Sequence, residues 1–235
     1  MDTQVTTPVP VHPPLEFDLI ADFACPWSFL GKRKLERALG SLYGIPAPAL
    51  RWHGLRIKSD VPPASATWRD HLATRLPAGV SVDLAHETLT QAGRELGIHF
   101  DFARLSAMPD TREAHRLVKL AESEGAYGAL VDALFSAFFE RGQDIGDHEV
   151  LMEVGRAGGL AAATLTAFND PTAGAARVDA EEKRLHGLGV MATPNLLING
   201  RILVPGPAEV ATYVQALDQA LFPGLAASED KRLLH

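Results

Sequence analysis

What limits the fold of this chain most is the placement of its strand-forming segments, which lie near its two ends with helical patterning between them. Near the start, Leu15-Glu16-Phe17-Asp18-Leu19-Ile20-Ala21-Asp22-Phe23 first alternates and then turns apolar, as a strand entering a core does. Near the end, Met191-Ala192-Thr193-Pro194-Asn195-Leu196-Leu197-Ile198-Asn199-Gly200 reads as a buried strand, entered through Thr-Pro and left through an Asn-Gly turn. Arg201-Ile202-Leu203-Val204 is its hairpin partner. The layout is β-α-β to about Ile57, helices from about Pro62 to Gly187, and β-β-α from Val190. An insertion between two halves of one sheet must fold back over it, which predicts an α/β protein with a helical lid.

The helices follow from spacing. Ala114, Leu117, Val118 and Ala121 repeat at i, i+3, i+4, i+7, and so do Val131, Leu134, Phe135 and Phe138. Asp147 caps a further helix through Val150, Leu151 and Val154 that Gly158-Gly159 ends, and Asp170-Pro171 starts another that runs to Gly187. Pro207 starts a last helix with Val210, Tyr213, Val214 and Leu217 on one face, ended by Phe222-Pro223-Gly224. No internal repeat is visible.

The chemistry gathers at the one cysteine, Cys25, where the first strand stops and a helix begins. Pro26 fits the first helical position, where its missing N–H costs nothing, and this puts Cys25 on the N-cap. There the helix dipole and unpaired backbone N–H groups favour a thiolate, so the thiol is expected to ionise below the free value of about 8.5. The opposite reading is a buried cysteine acting as a small hydrophobe. Ser28, one helical turn on, can hydrogen-bond a thiolate but cannot close a disulfide with it. Pro194 opens a strand inside a core, and X-Pro bonds are where cis peptides occur.

Strand, Cys25-Pro26-Trp27-Ser28 at a helix start, a long helical stretch, then Gly189-Val190-Met191-Ala192-Thr193-Pro194-Asn195-Leu196-Leu197-Ile198-Asn199-Gly200 together resemble the DsbA branch of the thioredoxin superfamily. The nearest resemblance is to its FrnE-like group, related to 2-hydroxychromene-2-carboxylate isomerases and kappa-class glutathione transferases. Phe29-Leu30-Gly31-Lys32-Arg33, Asp110-Thr111-Arg112-Glu113-Ala114-His115-Arg116 and the segment Leu134 to Ile145 agree, so the resemblance runs from about Phe17 to Leu221. It implies a thioredoxin-like domain of residues 15–61 and 188–222, a helical insertion of 62–187, and tails of 1–14 and 223–235.

The resemblance further implies a thiol–disulfide oxidoreductase that here acts through Cys25 alone, with Ser28 beside it and an external thiol such as glutathione resolving the mixed disulfide. Pro194 is then cis and packs on Cys25, the Thr193 backbone pairs with an extended peptide or glutathione, and Pro26 and Trp27 wall the substrate site. Kappa-class and isomerase relatives place Ser at Cys25 and bind glutathione with a Ser-Asp pair after the terminal hairpin, where this chain has Pro205-Gly206-Pro207. Asp110 stands where the family has Asn. A glutathione-dependent isomerase or transferase, and a redox-silent peptide-binding module, stay open beside the oxidoreductase.

Other classes are less well supported. One cysteine makes no internal disulfide, and nothing points to an oxidising compartment, so a cytoplasmic protein is expected. A formal charge of −7 without a basic run argues against nucleic acid. Residues 1–14 lack the basic and apolar regions of a leader and read as a flexible tail, and no stretch reaches the roughly 20 apolar residues of a membrane span. His53, His71, His86, His99 and His148 share no ligand spacing, so no metal is expected. His115 and His186 read as surface or satisfied core residues. Permanent cofactors are not expected; the partner is a small thiol or disulfide, or a peptide, and a homodimer is left open.

Overall fold

The computed structural model describes residues 15–42, 49–57, 67–124 and 127–222. The expected tails at 1–14 and 223–235 and the expected boundary between 61 and 62 lie outside the described residues. A four-stranded mixed sheet has the order β2-β1-β3-β4. Central β1 (Glu16–Ala21) pairs in parallel with β2 (Ala49–Gly54) and antiparallel with β3 (Asn195–Ile198), which forms a hairpin with β4 (Ile202–Pro205). The hairpin turns at Asn199 and Gly200, both at positive φ (51° and 64°), as the Asn-Gly pair predicts.

Helix α1 (Pro26–Leu39) links β1 to β2. Among the described residues, seven α-helices and a short 3-10 turn (Phe102–Arg104) follow before the hairpin: α2 (Trp68–Arg75), α3 (Val82–Glu95), α4 (Arg112–Ala121), α5 (Tyr127–Phe139), α6 (His148–Ala157), α7 (Ala162–Phe168) and α8 (Ala175–Gly187). Helix α9 (Val210–Leu221), the last element among the described residues, packs along α1. One hydrophobic core runs through both the sheet and the inserted helices. On its sheet side stand Phe17, Leu19 and Ala21, alternate residues of β1 as the pleat requires. Phe29 of α1 stacks on Phe135 of α5 (ring centroids 4.8 Å apart), and Phe23, just after β1, stacks on Trp52 of β2 (4.6 Å). The opposite face of β1 carries Ile20, which meets Leu55 and Leu185 of α8 in a smaller cluster.

Three expected boundaries move, each for a physical reason. Helix α8 begins at Ala175, not at Asp170-Pro171, because Arg116 of α4 captures the intervening backbone. Its buried guanidinium donates to the carbonyls of Phe168, Asp170 and Ala173, which turns them away from a helical ladder, and Gly174 starts the helix from a left-handed conformation (φ 77°). Helix α9 begins at Val210 with Glu209 as N-cap; Pro207 instead lines the cavity beside Cys25. The strand expected over Met191 to Gly200 is paired only from Asn195 to Ile198, and Met191, Ala192 and Thr193 turn towards that same cavity. The Asp147 cap is as expected, its side chain accepting from the N–H groups of Glu149 and Val150.

Candidate active site

Strand β1 delivers Cys25 to the N-cap of α1, and Pro26 occupies the first helical turn. The turn closes through the Cys25 N–H to the Asp22 carbonyl (3.1 Å) and the Ser28 N–H to the Cys25 carbonyl (3.0 Å). No carboxylate occupies the first turn of α1 to compete for its positive end. Thr193-Pro194 is a cis peptide immediately before β3. The Cys25 thiol donates to the Thr193 carbonyl oxygen at 3.7 Å, and the Pro194 ring faces Gly31 of α1, where an added Cβ would stand 3.3 Å from Pro194 Cγ. Thr193 and Cys25, remote in sequence, are therefore neighbours.

Beside them is a cavity of about 560 Å³. Cys25, Trp27, Thr193, Met191 and Pro207 line it together with three cationic or titratable groups, Arg56, Arg75 and His186. Trp27 is half-buried. Arg56 is gripped by Glu182, 2.5 Å from Nη2 to Oε2, and stands 3.8 Å from the exposed Asp110. Sequence reasoning missed Arg56, Arg75 and Asp22 and set His186 aside. Arg56 had one available signal, since it follows the carboxyl end of β2 directly, and open α/β sheets place their sites at strand carboxyl ends. Arg75 and His186 had none, because they reach the cavity from α2 and α8.

The thiol itself is a correction. Cys25 is 1 % exposed, and burial pushes its ionisation up from the ordinary range rather than down. Hydrogen bonding from Ser28 pulls the other way, and the negative charge of Asp22 adds to the upward push. The helix N-terminus is present, but the sulfur is dry, and desolvation of the anion outweighs the donors.

Behind the thiol lies a buried polar relay. Asp22 and His115 are 0 % and 1 % exposed. Asp22 Oδ2 accepts from the Ile57 N–H, Asp22 Oδ1 lies 3.2 Å from His115 Nε2, and the Trp52 indole N–H donates to His115 Nδ1 at 3.2 Å. His115 is thus a satisfied core histidine, one of the two expectations for it. His53 is held between Asp18 of β1 and Glu181 of α8, and His148 stacks on Phe168. Among the described residues no group of His, Cys, Asp and Glu is arranged to hold a metal.

No helix among the described residues is long and apolar enough to cross a membrane. The chain resembles solved structures over most of its length. With a probable DsbA oxidoreductase from Streptomyces coelicolor it shares 26 % identity at a TM-score of 0.72, over 88 % of this chain and 89 % of the other. A 2-hydroxychromene-2-carboxylate isomerase superposes with a TM-score of 0.66 at 15 % identity, over 90 % and 98 % of the two chains. The cytosolic disulfide reductase DsbM from Pseudomonas aeruginosa gives 0.56 at 20 % identity, over 91 % and 99 %. At those lower identities the likeness is one of fold. No curated protein matches the chain. The model of the DSBA-like thioredoxin domain matches residues 17–218, and the chain belongs to that family, a family of thiol oxidoreductases.

Proposed function

We propose that this protein is a thiol–disulfide oxidoreductase working through Cys25 alone, with glutathione or a similar small thiol completing its cycle. The observation that carries this reading is the seat of Cys25: at the N-cap of α1, 3.7 Å from the Thr193 carbonyl, on the wall of a cavity, with Ser28 in the place of a second sulfur. The Cys25 thiolate attacks one sulfur of a disulfide, forms a mixed disulfide and expels the other sulfur as a thiolate. A glutathione thiolate then attacks the partner sulfur of that mixed disulfide, becomes joined to it, and releases Cys25. Pro26 and Trp27 shape the wall, while Thr193 and Pro194 supply the backbone edge along which an extended thiol peptide lies. Arg56 and Arg75 suit its carboxylates. Structures of the neighbour DsbM include one with GSH, which supports this co-substrate, and its cytosolic description supports a cytoplasmic setting.

The depth of Cys25 favours one competitor, a redox-silent module that binds peptides at the Thr193 edge. Mass spectrometry after incubation with oxidised glutathione separates the two. One glutathionyl adduct on Cys25 of the folded protein, lost in Cys25→Ser, is the expected result. Glutathione binding without an adduct would instead indicate the isomerase or transferase type. No adduct and no binding, with a thiol that titrates only after unfolding, would leave the redox-silent module.

A further inference from the structure

Arg56, on the wall of the cavity that holds Cys25, is gripped along one edge only. It follows the carboxyl end of β2, and Glu182 of α8 takes both bonds on a single oxygen: Arg56 Nε donates to Oε2 at 3.1 Å and Nη2 donates to the same atom at 2.5 Å. The Glu182 side chain is 8 % exposed, and its other oxygen, Oε1, is buried without a hydrogen-bond partner. A pair that saturated both groups would set two N–H groups against two oxygens. This one fixes the arginine in place and leaves its Nη1 end unbonded among the described residues.

A second carboxylate approaches that end without closing on it. Asp110 Oδ1, just ahead of α4, lies 3.8 Å from Arg56 Nη1, outside hydrogen-bond range, on a side chain that is 74 % exposed. The same oxygen accepts from the Arg112 N–H at 3.0 Å, which ties it to the start of α4 rather than to the arginine. Arg112 and Asp179, also between α4 and α8, are bonded to each other. Arg56 thus meets two carboxylates with one positive charge, a bound one in Glu182 and a loose one in Asp110.

We propose that the Nη1 end of Arg56 is a subsite for a carboxylate of the small thiol or disulfide, and that Asp110 competes for it. Together the two residues set how far the site favours anionic over neutral substrates. The inference rests on the reading of Cys25 as the reactive atom, and it deepens that reading by naming the substrate class, small disulfides that carry a carboxylate. Glu182 supplies preorganisation, because a guanidinium already fixed need not be ordered when the ligand arrives. Asp110 supplies the brake, because an incoming carboxylate must displace a like charge.

The test compares two disulfides with the folded protein at one fixed pH and low ionic strength: oxidised glutathione, which carries carboxylates, and bis(2-hydroxyethyl) disulfide, which carries none. In each case the Cys25 thiolate joins one half of the disulfide and expels the other half as a thiolate, and mass spectrometry gives the rate of adduct formation. The readout is the ratio of the two rates, in which any change in the sulfur itself cancels. Arg56→Gln should lower the ratio about tenfold, the loss of one charge-assisted hydrogen bond. Asp110→Asn keeps the Oδ1 acceptor for the Arg112 N–H but removes the charge, and should raise the ratio about threefold, within the range of an exposed ion pair. In the double variant the rise from Asp110→Asn should vanish, because the group it competes for is gone. An unchanged ratio in either single variant, or a rise that persists undiminished in the double variant, would overturn the proposal. If Arg56→Gln does not fold because it strands the buried Glu182, Asp110→Asn alone must show the rise, and its absence overturns the proposal equally. A wild-type Cys25 that forms no adduct with either disulfide sinks the oxidoreductase reading itself, a result distinct from any of these.

Discussion

Gly54→Ala is a single-methyl test of how tightly the relay is confined. Gly54 ends β2 beneath the His115 ring, and a Cβ built there would lie 2.5 Å from Nδ1, 2.8 Å from Cγ and 3.0 Å from Cε1. All three distances are well inside van der Waals contact, so the ring must move. It has little freedom to do so, with Phe23 4.9 Å from its centroid, the Trp52 N–H on one nitrogen and Asp22 at the other. Overpacking a tight core costs about 1–3 kcal/mol, and weakening one buried hydrogen bond adds about 1 kcal/mol, so Gly54→Ala should lose about 2–4 kcal/mol. For a chain of this size that corresponds to a fall in Tm of roughly 5–15 °C. Urea unfolding at neutral pH, with equal slopes for wild type and variant, measures it. Gly187→Ala at the end of α8 is the control, because nothing lies within 4 Å of its added Cβ, and it should be neutral or slightly stabilising. A loss at Gly54 of less than about 0.5 kcal/mol, the range of surface substitutions, would mean that His115 is not confined as described.

Ser28→Cys places a second sulfur in a buried position one turn from Cys25, and mild oxidation should remove both free thiols together; persistence of two titratable thiols in the folded variant would show that the positions do not face each other. Arg116→Met leaves three backbone carbonyls and Glu113 without their shared donor and should cost about 3–5 kcal/mol by urea unfolding, with proteolytic cleavage appearing first near residues 168–174. The β1–β2–α8 ion cluster predicts a pH profile. Burial pushes the Glu181 carboxyl up, but His53 and Lys119 hold it down to about 2 from 4.5, so its stabilisation is complete above 4.5 and is lost as the pH falls towards 2. His53 runs the other way: burial opposes its charge, but Glu181 and Asp18 raise it above 6.5, so its contribution is full below 6.5 and is lost as the pH rises through the higher folded value. Unfolding midpoints across pH should therefore fall at both ends, and an acid limb that is no flatter in Glu181→Gln would refute the assignment.

What could be read without coordinates was local. The strand into Cys25, the Pro26 helix start, the Asn199-Gly200 hairpin and the Asp147 cap are each set by residues a few positions apart, and each is where the pattern placed it. The cis peptide at Thr193-Pro194 was legible because proline marks such sites. The misplaced start of α8 shows the limit. Asp170-Pro171 is a proper helix opening by local rules, but Arg116 reaches it from α4, more than fifty residues back in the chain, and takes its carbonyls. The ionisation of Cys25 failed for the same reason: the N-cap dipole is a local property and desolvation is a global one. Asp22 carried a faint trace, an acid set within an apolar run, but only the fold brings His115 and Trp52 to it.

Because β1 is an interior strand whose second neighbour is β3, the sheet closes only when a segment 168 residues beyond Cys25, at Thr193, has been made. At cellular synthesis rates of about 5–20 residues per second, that leaves roughly 10–30 s in which one edge of β1 has no partner and the sulfur has no roof. The nascent chain thus presents an open thiol beside an unpaired, apolar strand edge, the kind of surface on which off-pathway pairing begins. The only cysteine of the chain is better shielded after folding than at any moment during it, and its exposure to oxidants is greatest on the ribosome.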